Sequence, residues 1–171
     1  VYMSCIEQAL ARGQDAFLLV PEISLTPQLL ERLRSRFGDL VAVLHSRMND
    51  TERSRQWRRI QAGGARVVAG PRSALFAPLK NPGLIVLDEE HETSYKSDMQ
   101  PRFHAVEVAE EMARRGGFPL VLGSATPSVE SYWRAARGDY RLLRLTHRAV
   151  AQARPPSMQM VDMRKELALG N

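Results

Sequence analysis

One cysteine, Cys5, stands among 171 residues. That excludes a disulfide within the chain and any cysteine-rich zinc site built from it alone. Long apolar runs are also missing: none approaches the roughly 20 residues that a membrane-spanning helix requires. No signal peptide is legible at the start. Internal repeats and low-complexity tracts are absent, which excludes solenoid arrays and biased linker-like segments. These absences point to a cytoplasmic protein without membrane attachment.

What remains is ordinary in amount and specific in order. The length corresponds to about one domain, enough to bury a core. Hydrophobic content of 44% and charged content of 25% suit a globular protein. A net charge of +5 permits a polyanionic partner. Arginines cluster at Arg53, Arg55, Arg58 and Arg59, and again at Arg134, Arg137, Arg141, Arg144 and Arg148. Solvated helix faces account for such clusters as readily as nucleic-acid contact does.

The chain is organised around Leu84-Ile85-Val86-Leu87-Asp88-Glu89-Glu90-His91. A short unbroken apolar run reads as a strand buried on both faces of a parallel sheet. Ligands bind beyond the carboxyl ends of such strands, which puts Asp88 and Glu89 at a site. One carboxylate there suits Mg²⁺, a hard cation that prefers oxygen ligands. The other suits orienting or deprotonating the water that attacks a nucleoside triphosphate. A strand that stops in a solvated acidic turn is the plain alternative.

Around that stretch, apolar runs alternate with helical patterns. A helix carries Tyr2, Ile6, Ala9 and Leu10 and stops at Gly13; it opens without a capping residue, as a chain cut from something longer would. Strands are predicted at Ala16–Val20, Val41–Leu44, Arg66–Ala69, Leu84–Leu87 and Leu120–Leu122, with further ones at Tyr140–Leu145 and Met158–Asp162. Thr26-Pro27 is a helix start, threonine as N-cap and proline at the first position, and Gly38 closes that helix. Asn49 or Asp50 caps the next, in which Trp57 and Ile60 are expected to face inward. Helices are also predicted at Ala105–Arg115, stopped by Gly116-Gly117, and at Ser128–Gly138. Strands alternating with helices imply an α/β fold, a doubly wound and mostly parallel sheet with helices on both faces. Val150–Pro156 reads as a connector.

Several predicted strands end in polar tips: Pro21-Glu22, His45-Ser46, Gly70-Pro71-Arg72-Ser73, Asp88-Glu89-Glu90-His91 and Ser124-Ala125-Thr126. This layout resembles a RecA-like motor domain, and Asp-Glu-Glu-His followed by Ser-Ala-Thr resembles motifs II and III of superfamily 2 helicases. Val20-Pro21-Glu22-Ile23-Ser24-Leu25-Thr26-Pro27-Gln28, Arg72-Ser73-Ala74-Leu75-Phe76-Ala77-Pro78 and Gly123-Ser124-Ala125-Thr126-Pro127-Ser128 narrow the resemblance to the bacterial replication-restart DNA helicases. It runs through Val161-Asp162-Met163-Arg164 and so covers nearly the whole chain.

The resemblance implies ATP and Mg²⁺ as cofactors, Asp88 holding the metal, Glu89 acting on the water, and His91, Ser124 and Thr126 coupling nucleotide to DNA. It implies that Glu22, Thr26, Arg72 and Ser73 track a DNA strand. The 92–104 segment is similar to the aromatic-rich loop of RecQ-like and replication-restart helicases, implying DNA contact by Tyr95, Lys96, Arg102, Phe103 and His104. Aromatic faces stack on any base and cations meet phosphates, which favours this loop reading; plain packing of Tyr95 and Phe103 against the following helix is the alternative. Forked and single-stranded DNA, primosome proteins and single-stranded-DNA-binding protein are the implied partners.

Two departures stand out. Val106 occupies a position where the family shows arginine, so no DNA role passes to it, and Pro71 stands where threonine is common. No Gly-x-x-x-x-Gly-Lys-[Ser/Thr] loop occurs anywhere. In the family that loop directly precedes the segment matching Val1-Tyr2. Residues 1–148 are therefore expected to be a first RecA-like lobe, a P-loop NTPase helicase lobe truncated at its N-terminus and lacking Walker A. Residues 149–171 are expected to be the connector and start of a second lobe. Zinc is expected only in parts of the longer protein outside this chain. By itself the polypeptide is expected to be inactive. Two other readings stand beside this one: a non-catalytic DNA-binding or primosome-scaffold element, and a metal-dependent hydrolase in which His45 or His104 joins Asp88, Glu89 and His91.

Overall fold

Short apolar runs punctuated by capped helices leave the chain one economical arrangement, a parallel sheet with crossovers on both sides. The computed structural model describes residues 1–146, 158, 160 and 161. Among them the strands are β1 (Asp15–Leu19), β2 (Val41–Val43), β3 (Val67–Gly70), β4 (Pro82–Asp88), β5 (Lys96–Ser97), β6 (Phe103–His104) and β7 (Leu120–Gly123). Five of them form one sheet in the order β2-β3-β1-β4-β7, and every pairing is parallel. β5 and β6 form a separate antiparallel hairpin, with Lys96 opposite His104 and Ser97 opposite Phe103. Strand β3 flanks β1 on one side and β4 on the other, so the winding direction reverses at β1.

The helices are α1 (Tyr2–Ala11), α2 (Pro27–Phe37), α3 (Asp50–Ala62), α4 (Ala105–Gly116) and α5 (Val129–Arg137). Alternation along the strands divides the core in two. Ala16, Leu18, Val20, Val67, Ala69, Leu84 and Val86 pack with Ile6 and Ala9 of α1 and Leu33 and Phe37 of α2. Phe17, Leu19, Val68, Ile85 and Leu87 pack on the other face with Ile60 of α3 and Ala105, Val106 and Ala109 of α4. Each fully buried Leu, Ile or Phe contributes about 1.5–3 kcal/mol. The doubly wound expectation therefore holds.

The caps follow local chemistry. Thr26 accepts from the Leu29 amide at 3.3 Å, and Asn49, rather than Asp50, accepts from the Glu52 amide at 2.8 Å. Gly117 ends α4 in the left-handed region at φ 67°. At the amino edge of the sheet, Asp15 accepts from Arg66 at 2.9 Å and from the Asn81 amide at 3.0 Å, so the buried carboxylate has a charged partner.

The structure corrects several expectations. Trp57 does not face inward: it is 37% exposed, while Ile60 is fully buried. The two lie three positions apart, and α3 turns only the Ile60 stripe to the sheet. No strand forms at Tyr140–Leu145, where Leu143 and Leu145 are exposed. An apolar run becomes a strand only where a neighbour receives its amides and carbonyls. Of the predicted Met158–Asp162 strand, Met158, Met160 and Val161 are described and lie in no strand; the rest of it, the Val150–Pro156 connector and Arg148 lie outside the described residues.

The chain divides into two units, residues 1–133 and 134–171. The sheet and its helices up to Trp133 make the first. Within the second, Arg134 donates to the Tyr140 hydroxyl at 2.7 Å, and its guanidinium lies 5.5 Å from the Tyr140 ring centre.

Candidate functional site

Because the five strands are parallel, their carboxyl ends emerge along one edge, and the polar tips read from the sequence emerge with them. β4 delivers Asp88, half-buried, and the chain then turns sharply: Glu89 adopts φ 50°, in the left-handed region that side chains with a Cβ avoid. That turn throws the Glu89 carboxylate and the His91 ring to the same side, with Glu89 Oε2 3.6 Å from His91 Nδ1. β7 pairs beside β4 with Gly123 opposite Asp88, so the Ser124–Thr126 turn arrives next to His91. His91 Nδ1 lies 2.8 Å from Ser124 Oγ, and Nε2 lies 3.5 Å from Thr126 Oγ1. Ser124 Oγ also accepts from the Thr126 amide at 3.0 Å. Asp88, Glu89, His91, Ser124 and Thr126, scattered across the sequence, are thus one constellation.

Two residues without a role in the sequence reading belong to it. The Tyr2 hydroxyl, from the first turn of α1, donates to Asp88 Oδ1 at 2.7 Å. It lies where a side chain on residue 123 would be: a Cβ built on Gly123 would fall 1.6 Å from that hydroxyl. Burial first, then the hydrogen bond and charge of Asp88, push the Tyr2 phenol above its ordinary value. The sequence marked Tyr2 as part of a helical stripe and offered no sign that its tip reaches a strand end. Glu90 is the second. It is only 5% exposed, and its carboxylate accepts from the Ser128 amide at 2.7 Å, Ser128 Oγ at 3.1 Å and Ser131 Oγ at 2.9 Å. Nothing in three consecutive acids tells which one turns inward.

The residues expected to meet DNA occupy varied surroundings. Glu22, exposed, accepts from the Ser46 amide at 2.7 Å and ties the β1 tip to the β2 tip. Hydrogen bonding from Ser46 holds its carboxyl below the ordinary value. The Thr26 hydroxyl caps α2. Arg72 donates from Nη1 to the carbonyls of Ser94 and Lys96, both at 2.7 Å, which anchors the β5–β6 hairpin to the turn after β3. Ser73, Lys96 and Arg102 are exposed.

Tyr95 offers no ring face to a base in this structure. It is 1% exposed, and its hydroxyl donates to the Asp88 carbonyl at 2.7 Å. Burial and the nearby Asp88 charge push its phenol upward. Phe103, half-buried, meets the half-exposed Phe76 edge-on with ring centres 5.1 Å apart. His104 accepts from the Val106 amide through Nδ1 at the start of α4, and Val106 is in the core. Packing, the alternative open from the sequence, describes Tyr95 here.

Among the described residues, no group of three or more His, Cys, Asp or Glu side chains could hold a metal ion. His45 and His104 do not join Asp88, Glu89 and His91 in such a group. A cation held by one carboxylate, with waters and substrate oxygens completing its shell, fits Asp88, because Tyr2 occupies only Oδ1. No helix among the described residues is long and apolar enough to cross a membrane.

Comparison with known proteins agrees with the geometry. Residues 1–133 match the DEAD/DEAH box helicase family. Over its whole length the chain is 52% identical to the replication restart protein PriA of Bacillus subtilis (strain 168) and covers 21% of that protein. With PriA of Treponema pallidum (strain Nichols) identity is 48% over 99% of the chain and 26% of the relative. The chain therefore spans between a fifth and about a quarter of these relatives' length. Among solved structures, the Pyrococcus furiosus Hef helicase domain superposes with a TM-score of 0.52 at 24% identity, covering 80% of this chain and 29% of that one. The C-terminal domain of S. cerevisiae Dbp5 gives 0.54 at 14% identity, covering 84% and 82%. Both superpositions are likenesses of fold.

Proposed function

This chain belongs to the DEAD/DEAH box helicase family, and from that premise we propose that it is the core of the first motor lobe of a replication-restart DNA helicase, driven 3′ to 5′ by ATP hydrolysis. The observation that carries the reading is the contact of His91 with Ser124 and Thr126. It joins the carboxylate turn after β4 to the neighbouring turn after β7, as a machine linking nucleotide chemistry to strand movement requires.

Mg²⁺, when bound with the nucleotide, supplies positive charge beside the transferring phosphate. Asp88 offers it the carboxylate oxygen that Tyr2 leaves free. Glu89 orients the attacking water and receives its proton, its carboxylate thrown forward by the left-handed turn. His91 senses the state of Glu89 and relays it to Ser124 and Thr126. Lys96, Arg102 and Phe103 on the hairpin, with Ser73 and the β1 tip, face single-stranded or forked DNA. Primosome proteins and single-stranded-DNA-binding protein are the proposed partners, the cytoplasm is the proposed compartment, and zinc belongs to regions outside these residues. Residues 1–148 are the lobe and 149–171 the passage to the next.

The 171 residues contain no phosphate-cradling Gly-x-x-x-x-Gly-Lys-[Ser/Thr] run. Alone, the polypeptide is therefore proposed to turn over ATP negligibly. The test is steady-state ATP hydrolysis by the 171-residue chain and by a longer protein containing it, with and without single-stranded DNA. The expected result is no turnover by the short chain and DNA-stimulated turnover by the longer one, abolished by Glu89→Gln. Turnover by the short chain that Glu89→Gln removes refutes its inactivity; no turnover by the longer protein refutes the motor. A second reading, a DNA-binding or primosome-scaffold element, draws support from the net charge of +5. It predicts DNA affinity indifferent to nucleotide and to Glu89→Gln.

A further inference from the structure

Glu90 is a buried carboxylate beside the site that the proposed chemistry leaves unused. It lies between the metal-binding and water-activating acids on one side and His91 on the other, yet its carboxylate points inward, 5% exposed. Among the described residues, no cation pairs with it. Three neutral donors do: the Ser128 amide, Ser128 Oγ and Ser131 Oγ. Its own amide donates to the Gly123 carbonyl at 3.0 Å, so backbone and side chain both grip the β7 side. Ser128 Oγ in turn accepts from the Ser131 amide at 3.2 Å, closing the first turn of α5. Negative charge is favoured at a helix amino end, and hydrogen bonds to a charged acceptor are stronger than neutral ones.

We propose that Glu90 is a positioning residue that locks the Asp88–His91 turn and the Ser124–Ser128 turn into one body. Only Pro127 separates Thr126 from Ser128. A clamp on Ser128 therefore limits how far Ser124 and Thr126 can drift from the His91 ring. Without it, the two turns are joined by the β4–β7 ladder and the Glu90 amide bond to the Gly123 carbonyl beneath them, and by His91 above. Every oxygen of the carboxylate is used, and no buried side-chain polar atom among the described residues lacks a partner. The clamp is therefore complete without any ligand. The reading rests on the proposed motor role only for its consequence, that nucleotide state reaches the Ser124–Thr126 turn without slack.

The test compares the wild-type protein with Glu90→Ala and Glu90→Gln. Glutamine keeps the volume and one acceptor, so it retains the fold if alanine does not. Two readouts are needed: amide hydrogen exchange across residues 124–132, and the ring-nitrogen shifts of His91 by nuclear magnetic resonance. Glu90→Ala is expected to speed exchange at the Ser128 amide by roughly tenfold to a hundredfold, the range for losing a hydrogen bond to a charged acceptor. It is also expected to average the His91 shifts, with Glu90→Gln intermediate in both. Faster exchange at the Ser128 amide with His91 unchanged makes Glu90 a simple helix cap and overturns the proposal. So does no change in either readout. Both are taken without nucleotide or DNA, so failure of the motor reading in an ATP hydrolysis assay leaves this result standing on its own.

Discussion

Gly123→Ala probes the junction of α1, β4 and β7 with a single methyl group. A Cβ at this position would lie 1.6 Å from the Tyr2 hydroxyl oxygen, 2.8 Å from Cζ and 3.3 Å from Cε1. No side chain tolerates such an approach, so the Tyr2 ring must swing out and release Asp88 Oδ1. Forcing a group into a packed site costs about 1–3 kcal/mol. Losing a hydrogen bond to a carboxylate costs about 1.5–3 kcal/mol, less here because water can reach half-buried Asp88. A net destabilisation of about 2–4 kcal/mol follows. With a urea dependence of about 2 kcal/mol per molar, the unfolding midpoint should fall by about 1–2 M. The companion variant is Tyr2→Ala, which removes the obstacle. In that background the added methyl should cost less than about 0.5 kcal/mol. Equal costs in the two backgrounds would show that Tyr2 does not lie over Gly123, and the argument would fall.

Tyr95→Phe keeps the buried ring and deletes only the bond to the Asp88 carbonyl. It should lower stability by about 1 kcal/mol in urea titrations, and an unchanged midpoint would remove Tyr95 from the support of Asp88. Glu89→Gly relieves the left-handed turn and should raise stability by about 1 kcal/mol, while abolishing ATP hydrolysis in the longer protein. A loss of stability would mean that the turn is not strained. Glu22 has a folded-state value held below its ordinary 4.5. A depressed carboxylate contributes stability that is fully present above the unfolded value and lost as pH falls through the folded one. The Ser46 amide signal should therefore titrate with a midpoint below 4.5, and Glu22→Gln should abolish that titration; a midpoint at or above the ordinary value contradicts the contact.

Much of the framework was legible because it is local. Strand runs such as Leu84–Leu87 are apolar without interruption, Thr26-Pro27 is a self-contained helix start, and Gly117 suits a left-handed helix end. The ordered tips after the strands named the carboxylate pair and its histidine before any geometry was known. The hairpin of β5 and β6 was not legible, since two-residue strands in a polar segment have no periodicity to read. Tyr140–Leu145 erred the other way, showing strand composition where the structure forms no strand.

From its order of residue types alone the sequence determined the alternation of strands and helices, the parallel sheet this implies, and the polar residues at each strand end. Those properties depend on neighbours a few positions apart, where spacing and side-chain type carry the information. The tertiary structure decided which groups meet. Strand order put β7 beside β4 and so brought Ser124 to His91. The packing of α1 on β1 and β4 set the Tyr2 hydroxyl on Asp88, a residue 86 positions away. The left-handed turn at Glu89 sent one glutamate toward the solvent edge and its neighbour Glu90 into the protein. Three adjacent acids are alike to any local rule; only the donors waiting on α5 distinguish the one that is buried.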